Sequence, residues 1–270
     1  MSGIPRRALD EGVISPAKLV DAVRYPRYFD QRFRSVGPIS TSINFYGDPV
    51  GSTGTTNLVH FRGFWPAYAS YHIKGAGQTI LAPYEDAATG SLLAGLDVAA
   101  SEGVEYFFGV DQTAGNPYAF TVGTATEKNK FIRLEFKLGD ASEVADAAVG
   151  FRIGENFTAN LDDYTNLAVL NANAGTVNVE TILNDGTTST TDTGNTVADN
   201  TLTKFEVQLI GANPKFFVND VEVEVAFTFD TGDVIVPFIF FVQTAGTGSN
   251  FQWKRLTFGN IEDDNESLQF

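Results

Sequence analysis

Cysteine is absent from this 270-residue chain, and one Met and two His leave few other soft metal ligands. Disulfide staples, thiolate zinc sites and cysteine nucleophiles are therefore excluded. Long apolar runs are missing too. The stretch from Val234 to Val242, VIVPFIFFV, falls far short of the roughly 20 residues that a membrane-spanning helix needs. The first 25 residues carry Arg and Asp where the apolar centre of a signal peptide would stand, so the chain is expected to be soluble and made without export. No Gly-rich loop follows a strand and opens a helix in the way phosphate binding requires.

What is present points to strands. The chain holds 23 Phe and 26 Gly, and Asp, Asn and Thr are frequent, which is the usage of short strands joined by many turns. With 43% hydrophobic residues it can bury a sizeable core within one domain. The net charge of −15 is unevenly spread: residues 1 to 34 hold seven Lys or Arg against four Asp or Glu. An acidic body repels nucleic-acid phosphates, and a basic arm suits an acidic neighbour, including another copy of the same chain.

The clearest periodicity lies between Lys204 and Phe258, where strand-like runs alternate with turn residues such as Asn219-Asp220. Further upstream, KFIRLEFKL from Lys130 to Leu138 sets Ile132, Leu134, Phe136 and Leu138 on one face and Arg133, Glu135 and Lys137 on the other. That alternation is the mark of an antiparallel sheet with one buried side. The polar stretch from Asp185 to Asn200 reads as a surface loop or a hairpin of polar strands. Pro237, inside an apolar run, predicts an edge strand, a bulge or a strand start.

Residues 1–45 differ from the rest. Ser15-Pro16 can open a short helix that carries Leu19, Val20 and Val23 on one face. After it, Arg24, Tyr25, Arg27, Tyr28, Phe29, Arg32, Phe33 and Arg34 mix aromatic and guanidinium groups, the residue types favoured at protein contacts. These eight are the candidate partner-binding residues. Residues 46–77 read as a loop and strand connector, 78–260 as the sandwich, and 261–270 as an acidic tail.

The segments GLDVAASEGVEYFFG, KFIRLEFKL, AVGFRIGENFTANLDDYTNLAVLN, KFFVNDVEVEV and VPFIFFVQTAG, in that order, resemble the concanavalin A-like lectin and glucanase sandwich as found in structural proteins of tailed bacteriophages. The resemblance implies an all-β jelly roll of two antiparallel sheets with a short helical N-terminal arm. It also implies a non-enzymatic virion protein, such as a capsid decoration or other head or tail accessory, assembled beside copies of itself and other virion proteins. The alternative it leaves open is a carbohydrate-binding module, with no membrane or nucleic-acid partner in either case.

Glucanases of that family place paired carboxylates on one strand at E-x-D-x-x-E spacing, because two carboxyl groups must flank one glycosidic bond. The spacing is absent here, so no catalytic residue and no enzyme is expected. Glu222 and Glu224 share a strand face, yet Val221, Val223 and Val225 take the other, and the glutamates read as a wet face. Asp162 and Asp163, near Asn160 and Asn166, could hold calcium through hard oxygen ligands, and no other cofactor is expected. His60 and His72 lack a third ligand at suitable spacing. Trp65 and Trp253 could stack on sugars if exposed, and Trp253 reads as core.

Overall fold

A computed structural model describes residues 28–32, 56–61, 68–73, 84–86, 91–93, 101–108, 113–114, 118–124, 129–244 and 251–261. The expected helix after Ser15, Trp65, the arm outside 28–32 and the tail beyond 261 lie outside them. The strands are β1 (Tyr28–Arg32), β2 (Thr56–Phe61), β3 (Tyr68–Ile73), β4 (Tyr84–Asp86), β5 (Ser91–Leu93), β6 (Gly103–Phe108), β7 (Phe120–Thr121), β8 (Lys130–Leu138) and β9 (Val144–Ile153). They continue with β10 (Leu167–Asn173), β11 (Thr176–Ile182), β12 (Ser189–Thr196), β13 (Thr203–Ile210), β14 (Asn213–Val218), β15 (Val221–Val223), β16 (Val234–Gln243) and β17 (Phe251–Asn260).

Two antiparallel sheets form from these strands. One runs β15-β14-β13-β8-β17-β5-β4, with β1 also on β17, and the larger runs β12-β11-β10-β9-β16-β6-β3-β2, with β7 also on β16. The chain is all-β, a two-sheet jelly-roll sandwich, as its alternation predicts. Strands β2 and β3, in the stretch read as a connector, extend the larger sheet beside β6.

The core fills the space between the sheets. Ile132, Leu134, Phe136 and Leu138 of β8 are buried there, as are Phe205 and Val207 of β13 and Val149 and Phe151 of β9. Phe251 and Trp253 of β17 join them, and Trp253 meets Tyr106 edge-on at 4.6 Å. Trp253 is thus a core residue, unable to serve as a sugar platform. The β14–β15 turn has Asn219 and Asp220 at φ 50° and 70°, a left-handed pair that suits a two-residue hairpin, and Asn219 Oδ1 accepts from the Lys204 backbone N–H at 2.9 Å.

Pro237 stands in neither an edge strand nor a bulge. It lies within β16, between β9 and β6, opposite Phe151. On the other flank the β7 partners end at Ile235 and the β6 partners begin at Phe238. The ladder is broken there, so a residue without an N–H is accommodated in a central strand.

Gly150 marks the tightest strand approach near the site. A Cβ there would sit 2.2 Å from the Ala168 carbonyl oxygen and 2.9 Å from Val169 Cα. Both are backbone atoms of the neighbouring β10, so little can give way. Gly150→Ala is expected to cost about 1–3 kcal/mol by overpacking, measured as a lower urea midpoint at unchanged slope. A variant as stable as the parent would show that β9 and β10 can separate freely.

Candidate functional site

The larger sheet is covered on both faces. On its outer side Ala148 of β9, Val169 of β10, Ile182 of β11 and Phe238 and Phe240 of β16 form a second apolar cluster. Residues 154–166, which link β9 to β10, cross over this cluster and add Leu161 and Tyr164, with Phe157 packed at its margin. This strap turns an ordinary two-layer sandwich into three layers at that point.

A buried ionic latch fixes the strap. Arg152 of β9 donates to Glu105 Oε1 of β6 from Nη2 at 2.6 Å and from Nε at 3.2 Å. The Tyr164 hydroxyl donates to the other oxygen, Glu105 Oε2. Arg152 Nη1 reaches the carbonyls of Ile153 at 2.8 Å and Glu155 at 3.2 Å, both at the strap's start. Its guanidinium also lies 4.7 Å from the Tyr164 ring and 5.5 Å from that of Phe238. Burial raises the Glu105 pKa against the pull of Arg152 and the Tyr164 hydrogen bond, and burial likewise pushes the Tyr164 hydroxyl well up, so that the phenol stays a donor.

Beside the strap the outer face becomes polar and partly open. Asn171 of β10 is fully buried, and its Nδ2 donates to Asp146 Oδ1 of β9 at 2.8 Å and to Glu180 Oε2 of β11 at 3.1 Å. Its Oδ1 accepts from the Ala147 backbone N–H at 3.0 Å, which locks the amide's orientation. Two carboxylate oxygens that share one amide nitrogen lie within about 6 Å of each other, the range in which paired acids act on one sugar linkage. Burial, with the charges of Asp146 and Asp162 adding to it, pushes the Glu180 pKa up to about 7 despite the Asn171 hydrogen bond. Asp146 is raised as well, chiefly by burial. Glu180 can therefore keep a proton near neutral pH, and both carboxyl groups can accept hydrogen bonds from neighbouring hydroxyls.

The residues singled out in the sequence fall elsewhere or at the rim. Asp162 and Asp163 sit in a short 3-10 turn of the strap, Leu161–Asp163, capped by Asn160. Asp162 Oδ1 accepts from Thr188 Oγ1 at 2.8 Å, and Asp163 Oδ1 from Asn160 Nδ2 at 3.4 Å. Asn166 turns away to Asp233, at 2.8 Å. Among the described residues no group of three or more His, Asp or Glu side chains is arranged to hold a metal ion. His60 stands opposite Ala69, and His72 opposite Asn57 and Val104, three positions apart along β3. Glu222 pairs with Lys215 at 3.1 Å on the exposed side of the smaller sheet, and Glu224 is exposed, the wet face that their alternation predicts.

Of the eight arm residues, Tyr28, Phe29 and Arg32 stand in β1, paired along Arg255 to Gly259 of the same chain. Arg24, Tyr25, Arg27, Phe33 and Arg34 lie outside the described residues.

No family model and no curated relative matches the chain. Solved structures that do match include alginate lyase AlyC3, at 12% identity over 67% of this chain and 78% of that one, with a TM-score of 0.48. The Emp47p carbohydrate recognition domain matches at 12% identity over 64% and 84%, with a TM-score of 0.39. A protein of unknown function from Shewanella oneidensis MR-1 matches at 14% identity over 92% and 95%, with a TM-score of 0.44. The likeness is one of fold.

The expectation that the chain is not an enzyme is corrected here. The matching structures include several alginate lyases, and the ground for the expectation, a lack of paired acids, does not survive the geometry. Asp146 and Glu180 are brought together from two strands that are not neighbours, with β10 between them. A motif search along one strand cannot see such a pair.

Proposed function

We propose that this chain is a glycan-binding jelly-roll protein, with the sugar seated on the polar margin of the larger sheet's outer face. The observation that carries this reading is the Asn171 amide bridging Asp146 and Glu180 beside the strap. Carboxylates accept from vicinal hydroxyls, and an amide fixed from below holds the two acceptors in register. Recognition through Asp146, Glu180 and the Asp162–Thr188 pair is by hydrogen bonds, and Trp253, buried in the core, takes no part in it.

The charge narrows the ligand. Three carboxylates cluster there on a chain of net charge −15, so uronic or sulfated polymers are repelled and neutral glycans are favoured. The virion reading ranks second, because Tyr28 to Arg32 of the proposed docking arm pair with β17 of their own chain.

A panel of immobilised neutral and anionic oligosaccharides tests the proposal. Dose-dependent binding is expected on neutral sugars alone, weakened at least about tenfold by Glu180→Ala, the loss of a charged hydrogen-bond partner. Absence of a dose-dependent signal on every neutral sugar would overturn it, as would binding that Glu180→Ala leaves unchanged.

A further inference from the structure

The polar margin of the larger sheet's outer face reaches beyond the carboxylates that begin it. Register sets Asn178 of β11 opposite Asn171 of β10, and Asp192 of β12 opposite Asn178, in one row across three strands. A second row sets Thr190 of β12 opposite Glu180, and a third sets Thr196 opposite Thr176. Side chains alternate along a strand, so Thr176 and Asn178 point outward with Glu180, while Val177 and Val179 between them point into the core. Thr176, Thr190, Asp192 and Thr196 are exposed, and Asn178 is half-buried.

Both rows that start at the site are closed on the side of β9. Ala148, opposite Asn171, and Val169, opposite Glu180, are wholly buried in the apolar cluster that the strap crosses, together with Phe238 and Phe240 of β16. Toward β12 the rows are open. Some polar groups of that strand are spent within the fold: Thr193 Oγ1 donates to the Val177 carbonyl at 2.7 Å, and Asp192 Oδ1 accepts from the Gly194 backbone N–H at 2.8 Å. Among the described residues no hydrogen bond engages the side chains of Thr176, Asn178, Thr190 or Thr196.

We infer that an extended neutral glycan runs outward from Asp146 and Glu180 over β11 and β12, with Asn178 and Thr190 bonding the sugars that follow the first. The inference rests on the glycan reading above and adds the direction and length of the ligand. Adjacent strands stand about 4.8 Å apart, close to the advance of one sugar in an extended chain, so the two strands beyond Asn171 hold about two more sugars. Amide and hydroxyl groups both donate and accept, which suits vicinal hydroxyls and needs no charge on the ligand. No further strand pairs with β12 among the described residues, so contact ends there.

Calorimetric titration of the full chain with linear neutral gluco- and manno-oligosaccharides, from disaccharide to hexasaccharide, tests the inference. Affinity should rise to about the trisaccharide and then level off. Asn178→Ala combined with Thr190→Val should abolish that rise, about tenfold for two neutral hydrogen bonds. Thr191→Val, on the other face of β12 opposite Val179, should leave the rise intact, and Glu180→Ala should weaken every length alike. Affinity independent of length, a rise that survives the double variant, or one that Thr191→Val removes overturns the inference and leaves the site at Glu180 standing. Absence of binding at every length, or binding indifferent to Glu180→Ala, overturns the glycan reading and the inference with it.

Discussion

Replacing Arg152 by Met is expected to lower stability by about 3–5 kcal/mol, because it strands Glu105 as a buried charge. Both side chains of the pair are wholly shielded from solvent. Taking both groups out of water offsets much of the gain from their attraction, so the damage lies in the partner left behind rather than in the bond removed. This separates two explanations for the same loss. If Arg152 mattered only as bulk under the strap, Met would replace most of it and the cost would stay below about 1 kcal/mol. The double variant Arg152→Met with Glu105→Met should recover part of the deficit, leaving the Tyr164 hydroxyl without its acceptor at a cost of about 1–3 kcal/mol. Urea denaturation of the three proteins at constant slope decides the matter. A double variant less stable than either single one would contradict the buried-charge account.

Phe251→Ala is expected to cost a similar amount, about 3–5 kcal/mol, for a wholly apolar reason. Phe251 lies between the sheets, stacked on Phe241 at 4.7 Å and 12° and meeting Phe136 and Trp253 edge-on at 5.6 and 5.7 Å. It ties β17 to β8 within one sheet and to β16 in the other. Truncation opens a cavity ringed by aromatic planes that cannot collapse into it, and each lost ring contact forfeits dispersion as well as burial. The same removal of side-chain atoms at Val221, 67% exposed on β15, should change stability by less than about 0.5 kcal/mol. Thermal melts of the two variants provide the comparison, and near-equal midpoints would show that Phe251 is not a hub of the core.

Strand identity was legible in the sequence wherever one face is dry and the other wet. KFIRLEFKL shows this in β8, whose residues from Ile132 onward alternate strictly between buried and half-buried. The Asn219-Asp220 turn and the exposed Glu222 and Glu224 were equally readable. Strands β9, β10 and β16 were harder, because the strap covers their outer side and leaves near-continuous apolar runs where alternation would be expected. The site was hidden for a related reason. Asp146, Asn171 and Glu180 occur one to a strand, and only the register of β9, β10 and β11 brings them together. A signal was nonetheless present: Arg152 is the lone polar residue in AVGFRI, and Asn171 follows four apolar residues in LAVLNAN, so each implies a buried partner. The sequence does not say which partner, since that depends on pairings between strands far apart in the chain.

The larger sheet ends in β12, and its composition bears on how safely the chain can be kept at high concentration. The strand reads STTDTGNT, is largely exposed, and has no further strand paired on its outer side among the described residues. An open edge invites a second strand, but stable cross-β growth also needs apolar side chains that interlock, and this edge offers hydroxyls and a carboxylate. The register shift opposite Val177 and Asn178, with Gly194 at φ 70°, twists the strand further from the flat template that stacking requires. Self-association by edge pairing is therefore discouraged by the composition and twist of the strand itself.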